Sequence, residues 1–289
     1  MSSQSNKKTW ALMLSPNETV QYADNAGRYK VNKTFSSCLI SSIIAGLFIS
    51  IAFAFYVTVT TGTSTIPWGI AKLIGGICFS LGLILVVICA VDLFTSTVLT
   101  IIPKMTGKIT WAEMFKNWGL VYFGNLIGAL IFVAIIWFGS EHMAAKGQWG
   151  LNILNIASHK LHHTFVEAVF LGIVANLMVC YAVWMGYSSK TVSDKILTMI
   201  LPIAMFVAGG FEHSIANMFM IPMGIVIQSF ATPEFWQMIG MSAADFAHVN
   251  IQNFITLNLI PVTIGNIIGG LLVALPFWWM NMHKPIQKP

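Results

Sequence analysis

Gly209-Gly210-Phe211-Glu212-His213-Ser214 interrupts an apolar segment that otherwise runs from Lys195 to Gln228. As one straight helix that segment would be about 50 Å long at about 1.5 Å per residue, against a hydrocarbon core of ~30 Å. Two glycines followed by an acid and a histidine predict a helix that stops and restarts inside a bilayer. The segment Trp68–Met105 is longer still, and it is interrupted at Asp92 followed by Thr95-Ser96-Thr97. Both segments read as discontinuous helices.

Four further apolar segments, Phe35–Thr60, Trp111–Phe138, His163–Tyr187 and Phe254–Met280, each suit one tilted crossing of a bilayer. Composition agrees. The 289 residues are 56% hydrophobic and 9% charged, whereas a soluble domain is about 25% charged. So little charge excludes a water-soluble globule of this size. The net charge of +5 rests almost entirely on lysine, with Arg28 the only arginine. No window resembles the basic patches that read phosphate backbones, so no nucleic-acid partner is expected. Cys38, Cys78, Cys89 and Cys180 lie in apolar runs without metal-ligand spacing. The first apolar run is too long for the core of a cleavable signal peptide.

Lysine in the connections orients the chain. Lys7, Lys8, Arg28, Lys30, Lys33, Lys104, Lys108, Lys116, Lys190, Lys195, Lys284 and Lys288 fall on one side. Lys146 and Lys160, with Lys72 near that end of the second segment, fall on the other. Both termini are therefore expected in the cytoplasm. Gly124-Asn125-Leu126-Ile127-Gly128-Ala129-Leu130 in the third span recurs as Gly265-Asn266-Ile267-Ile268-Gly269-Gly270-Leu271 in the sixth. Small residues spaced by four are common in membrane helices; the shared asparagine and apolar tail favour duplication. Three spans per repeat turn the second copy upside down. The expected class is an all-α membrane protein with six transmembrane helices in an inverted repeat, the second and fifth broken. Residues 1–34 form an N-terminal helix and gate, 35–281 the six-span domain (repeats 35–138 and 163–281), and 282–289 a tail. Ser15-Pro16-Asn17-Glu18 has the pattern of a capped helix start, which predicts a surface helix over residues 16–30.

An ionisable group at mid-bilayer costs roughly 2.5–3.5 kcal/mol, so those present are informative. Asp92 and Glu212 sit at equivalent points of the two breaks, where each is expected to accept hydrogen bonds from freed backbone N–H groups. Glu167 lies close enough to a helix end to reach the interface. His213 adjoins the fifth-span break and can face a cavity there, although a single histidine on an apolar helix is ordinarily a packing residue. Thr95, Asn176 and Asn266 supply neutral hydrogen-bonding groups. The segments Thr95–Met105 and Ser214–Gln228 would begin with positive dipole ends aimed at the centre, which favours an anion. His159-Lys160-Leu161-His162-His163 matches one histidine box of membrane di-iron enzymes, but those need several. Only His142, His213, His248 and His283 remain, scattered. No metal, cofactor or enzymatic activity is expected, and Lys160 adds positive charge at an outer mouth.

Several motifs together resemble the formate–nitrite transporter family over nearly the whole chain. They are Lys72-Leu73-Ile74-Gly75-Gly76-Ile77-Cys78-Phe79-Ser80, Asp92-Leu93-Phe94-Thr95-Ser96, Gly124-Asn125, Gly172-Ile173-Val174-Ala175-Asn176, and Gly209-Gly210-Phe211-Glu212-His213-Ser214-Ile215-Ala216-Asn217-Met218. The resemblance implies an aquaporin-like protomer, a homopentamer with one pore per subunit, and a bacterial inner membrane. Formate and similar small monocarboxylates or nitrite-like anions are the implied substrates. It implies His213 and Thr95 at the pore centre, with Glu212, Asn176 and Asn217 around the histidine. Phe79 and Phe206 would form an outer constriction, Leu83 and Leu93 an inner one, with Lys160 in the outer vestibule and Gly209 and Gly210 in the break. Aquaporins share the six-span, two-break plan, but no Asn-Pro-Ala occurs here.

Magnitudes then suggest a mechanism. A bare anion in a ring of Phe and Leu loses hydration worth tens of kcal/mol. Protonating an acid of pKa about 4 at pH 7 costs only about 4 kcal/mol. Neutral acid is the cheaper species at a constriction, so His213 is expected to relay a proton. Low pH would also rearrange residues 1–30 and close the inner mouth. The alternatives are a passive anion channel and a membrane scaffold or sensor that recruits a cytoplasmic enzyme; a scaffold has no need of paired broken helices.

Overall fold

The computed structural model describes residues 13–282. Lys7, Lys8, His283, Lys284 and Lys288, and with them the outer parts of the expected N-terminal and tail regions, lie outside the described residues. The protein is an all-α membrane protein whose six spans form an inverted repeat with the second and fifth broken.

Helix α1 (Pro16–Val31) begins as its sequence dictates. Ser15 caps it, Pro16 occupies the first turn, and Glu18 closes a capping box on Ser15. Asp24 is buried in an ion pair with Lys108 and accepts a hydrogen bond from Thr106, so α1 is fastened beneath the second span. The first span is α2 (Phe35–Thr60). The second is α3 (Trp68–Ile88), a break, α4 (Phe94–Thr97), a 3-10 turn Val98–Thr100 and α5 (Ile101–Met105). The stretch after this break is less regular than the single half-helix the sequence suggested. Pro103 lacks an N–H and crowds the carbonyl of Leu99, which disfavours a continuous α-helix there.

The third span, α6 (Trp111–Phe138), crosses α2 at close range. A Cβ on Gly128 would lie 2.0 Å from the carbonyl oxygen of Ile43. The crossing repeats in the second half: a Cβ on Gly269 would lie 2.3 Å from the carbonyl oxygen of Ile173. The glycines of the repeated motif are therefore where backbones touch.

The connection after α6 holds a helix that the six-segment reading passed over, α7 (Gln148–Leu161). Its buried side, Trp149, Ile153, Leu154 and Ala157, is apolar. It precedes the fourth span as α1 precedes the first, and it carries Lys160. The fourth span is α8 (Phe165–Ser188). The fifth is α9 (Val192–Ala208), a break and α10 (Ser214–Phe230), followed by the surface helix α11 (Pro233–Ile239). The sixth opens with a π-helical stretch, Phe254–Leu259, before α12 (Ile260–Met282), which packs along α8. Glu167 closes a capping box on Thr164 at the start of α8, so it serves the helix end rather than the bilayer centre.

Candidate permeation site

The two breaks are built alike. Helix α3 ends with Ala90 in the left-handed region (φ 55°) and α9 with Gly210 there (φ 72°), each two residues before its acid. The Val91 N–H reaches back to the carbonyl of Val86, and the Phe211 N–H to that of Phe206. This is the left-handed helix stop that satisfies orphan carbonyls.

The asparagines of the duplicated Gly-Asn motif hold the interrupted backbone. Asn125 accepts from the Phe94 N–H at 2.9 Å and donates to the carbonyls of Asp92 at 3.0 Å and Ser42 at 2.7 Å. Asn266 accepts from the Ser214 N–H at 2.9 Å and donates to the carbonyls of Glu212 at 3.0 Å and Gly172 at 2.8 Å. Inside a membrane every such group needs a partner, because there is no water to take it. Asn266, expected to offer a neutral group to the pore, is fully committed to this clamp.

That leaves the acids free for another task. They accept no backbone N–H of the breaks, contrary to expectation, but bind lysines on opposite faces of the molecule. Asp92 lies 2.6 Å from Lys33 and 3.9 Å from Lys30. Glu212 lies 2.8 Å from Lys160 and also accepts from Asn217 at 2.6 Å and Asn258 at 3.0 Å. Both carboxylates are buried, and pairing is what makes a buried charge tolerable.

Between the two acids the breaks meet. Thr95 Oγ1 and His213 Nε2 are 3.0 Å apart, and both residues are buried. His213 Nδ1 accepts from the Ala216 N–H at 3.1 Å, capping α10 with its own ring. An Nδ1 that accepts leaves the proton of a neutral imidazole on Nε2, facing Thr95. Asn176 donates to the carbonyls of Thr95 at 3.1 Å and Asn266 at 2.5 Å, tying the fourth span to the first break and to the sixth span. The Phe206 ring stacks on His213 at 5.8 Å and meets Phe79 edge-on at 5.7 Å. Leu83 and Leu93 are both buried, Leu83 in the last turns of α3 and Leu93 in the first break.

A cavity opens on each side. The one facing away from α1, about 470 Å³, is lined by Lys72, Phe79, His159, Lys160, His163, Phe206, Glu212, His213 and Asn217. Its counterpart beside α1, about 420 Å³, is lined by Tyr22, Tyr29, Lys30, Lys33, Asp92, Ser96, Tyr187 and Lys195. Burial pulls Lys30 below its ordinary value, with the Asp92 carboxylate opposing. At the other mouth burial, then His163 and Lys160, pull His159 down. Gly209 and Gly210 line the first cavity.

Sequence reasoning passed over three partners. Lys33 and Lys30 looked like topology markers only, and Asn258 looked like part of an apolar span. Asn258 stands eight residues before Asn266, as Asn117 stands eight before Asn125. That spacing was a readable signal. In the structure Asn258 donates to Glu212 and to the Lys160 carbonyl, and Asn117 to the Lys30 carbonyl.

The sequence matches the family model described as formate/nitrite transporter over residues 17–279. It is 62% identical to the formate channel FocA of Escherichia coli (strain K12) over 273 residues, 94% of this chain and 96% of that protein. It is 52% identical to the formate channel FocA of Haemophilus influenzae, covering 92% of this chain and 94% of the other. The fold is similar to a solved pentameric formate channel with formate bound, with a TM-score of 0.84 and 50% identity over 86% of this chain and 98% of that one. A solved FNT family ion channel shares the fold at a TM-score of 0.73 and 22% identity, over 93% of this chain and 98% of that one.

Proposed function

Because the chain belongs to the formate/nitrite transporter family, we propose that it carries formate and similar small monovalent anions, nitrite-like ones included, across a bacterial inner membrane. One pore runs through each protomer of a homopentamer, with α1 and both termini on the cytoplasmic side. The carrying observation is the Thr95–His213 pair, sealed at 3.0 Å between two cavities on opposite faces. A hydrogen-bonding pair in an otherwise apolar neck is what a desolvated anion needs to cross. Asn217 Oδ1, His163 Nε2 and Asp92 Oδ1 have no hydrogen-bond partner within the protein, and their residues line the cavities.

In this reading Phe79 and Phe206 strip hydration on one side of the pair, and Leu83 and Leu93 on the other. Neutralising the anion is cheaper than burying its charge, so His213 relays a proton as the substrate passes. Low pH closes the α1-side mouth by moving the N-terminal region. A second reading, a passive pore in which His213 only donates from Nε2, is favoured by one observation. Nδ1 is occupied as the cap of α10, so a second proton on the ring would have to displace that hydrogen bond. The test of function is anion flux from purified protein in vesicles across a pH series. Selective movement of formate over larger carboxylates supports the proposal. Protein-independent leakage of formate would remove it.

A further inference from the structure

The third span carries a stripe of aromatic rings. Trp111, Phe115, Trp118 and Tyr122 recur every three or four residues, so they share one face of α6. Trp111 stacks on Phe115 at 5.9 Å, and Phe115 meets Trp118 edge-on at 5.6 Å. Phe94 from the first break closes against Trp118 at 6.3 Å and Tyr122 at 4.8 Å. Trp111 and Phe115 are exposed. From Trp111 to Tyr122 the helix rises about 16 Å at about 1.5 Å per residue, half of a ~30 Å hydrocarbon core. The stripe therefore runs from the membrane surface on the α1 side to mid-bilayer.

Beside it, an apolar groove of about 470 Å³ lies between α6 and α12, with Phe94, Trp118, Gly119, Tyr122, Ile260 and Ile264 in its walls. The Tyr122 hydroxyl and Thr263 Oγ1 bond each other at 2.8 Å, and the Trp118 N–H is donated to Thr100 Oγ1 at 2.8 Å. The polar atoms of these side chains are spent. At the surface end of the stripe stands a cation. The Lys104 ammonium lies 5.0 Å from the centre of the Trp111 ring, and it has no acidic partner among the described residues.

We propose that this groove holds an acyl chain of an anionic phospholipid from the α1-side leaflet, with the headgroup phosphate on Lys104. Interfacial tryptophan marks the headgroup level, and a lysine near an anionic membrane surface strengthens binding about five-fold. A second copy of this chain fits less well. The acids on the α1 side are all engaged, Glu18, Glu113 and Asp194 in capping boxes and Asp24 and Asp92 in lysine pairs. Another protomer thus brings no free acid to meet Lys104. Phe94 is the groove's inner wall, and its neighbour Thr95 touches His213, so the lipid chain packs directly behind the first break. The proposal needs only that the protein spans a bilayer; it does not depend on what crosses the neck.

The test is native mass spectrometry of the purified full-length assembly, with dioleoyl phosphatidylglycerol or dioleoyl phosphatidylcholine supplied in mixed micelles. It reads the lipids retained per protomer and the half-saturating lipid concentration. Gly119→Leu fills the groove and keeps the fold, because a Cβ at Gly119 meets nothing within 4 Å. Wild type is expected to half-saturate with phosphatidylglycerol at a concentration about five-fold below that for phosphatidylcholine. Lys104→Gln is expected to abolish this preference and Lys104→Arg to keep it. Gly119→Leu is expected to lose one tightly held lipid per protomer with its oligomeric state unchanged. Equal affinity of wild type for the two lipids, or full lipid retention in Gly119→Leu, would overturn the site. Loss of the oligomer in Gly119→Leu would assign the groove to a second copy and overturn it as well.

Discussion

Thr95 and His213 stand 118 positions apart in the chain and touch at 3.0 Å. Each is a buried hydrogen-bonding side chain next to a helix break, and each break is a copy of the other turned over. The contact exists because two half-spans end at the same depth from opposite faces. The lysine pairs of Asp92 and Glu212 lie one on each side of it.

The asparagine clamps should be equally important. Asn125→Leu removes the partner of the Phe94 N–H and of the Asp92 and Ser42 carbonyls; Asn266→Leu does the same for Ser214, Glu212 and Gly172. A buried polar group left unpaired costs about 1–3 kcal/mol. Each variant should lose roughly 2–5 kcal/mol of stability, and the two losses should agree within about 1 kcal/mol. Thermal unfolding in detergent measures both.

Lys160 and Glu212 should behave as one unit. Removing one member of a buried pair costs about 3–5 kcal/mol. Lys160→Met and Glu212→Gln should each destabilise by that order, and the double variant by clearly less than the sum. Simple additivity in a double-mutant cycle would show that the pair is not coupled.

The two left-handed residues predict opposite results from opposite substitutions. Ala90 pays for a backbone conformation that glycine adopts freely, at roughly 1 kcal/mol. Ala90→Gly should therefore raise the melting temperature, and Gly210→Ala should lower it by a comparable free energy.

His142 is buried against Trp137, its ring stacked at 4.5 Å, with Phe235 on another side. Burial pulls its imidazole below the ordinary value of 6.5. A depressed histidine is held neutral by the fold, so its contribution is intact above about pH 6.5. That contribution is lost as pH falls below that value, because the unfolded state takes up a proton the folded corner resists. Hydrogen exchange in the segment around residues 139–147 should accelerate between pH 7 and 5, and His142→Phe should flatten that dependence.

Much of this was legible in the sequence, for a physical reason. A bilayer fixes span length, so an overlong segment with Gly209-Gly210 or Asp92 inside it has to break. The paired Gly-Asn motifs gave the inverted repeat. What stayed hidden was the division of labour within each break. The acids looked like clamps and Asn266 like a pore group, because a carboxylate and an amide can each accept an N–H. Only the amide can also donate to the carbonyl on the far side of the gap, and the structure uses it for that. The π-helical opening of the sixth span was equally silent, since Ile255 to Leu259 reads as ordinary apolar helix apart from Asn258. Helix α7 escaped notice because its apolar side is too short to look like a span.

The central claim is that His213 Nε2 handles the substrate while Nδ1 only caps α10, and the two roles separate in one substitution. Asparagine is a good helix cap, so His213→Asn preserves the start of α10 but removes the nitrogen that reaches Thr95. The decisive measurement is formate uptake with simultaneous internal pH in vesicles holding wild-type protein or His213→Asn. Wild type is expected to bring in a proton with each formate, and the variant, melting within about 1 kcal/mol of wild type, to lose that coupling. Proton-coupled formate uptake at the wild-type rate in His213→Asn would contradict the role assigned to His213.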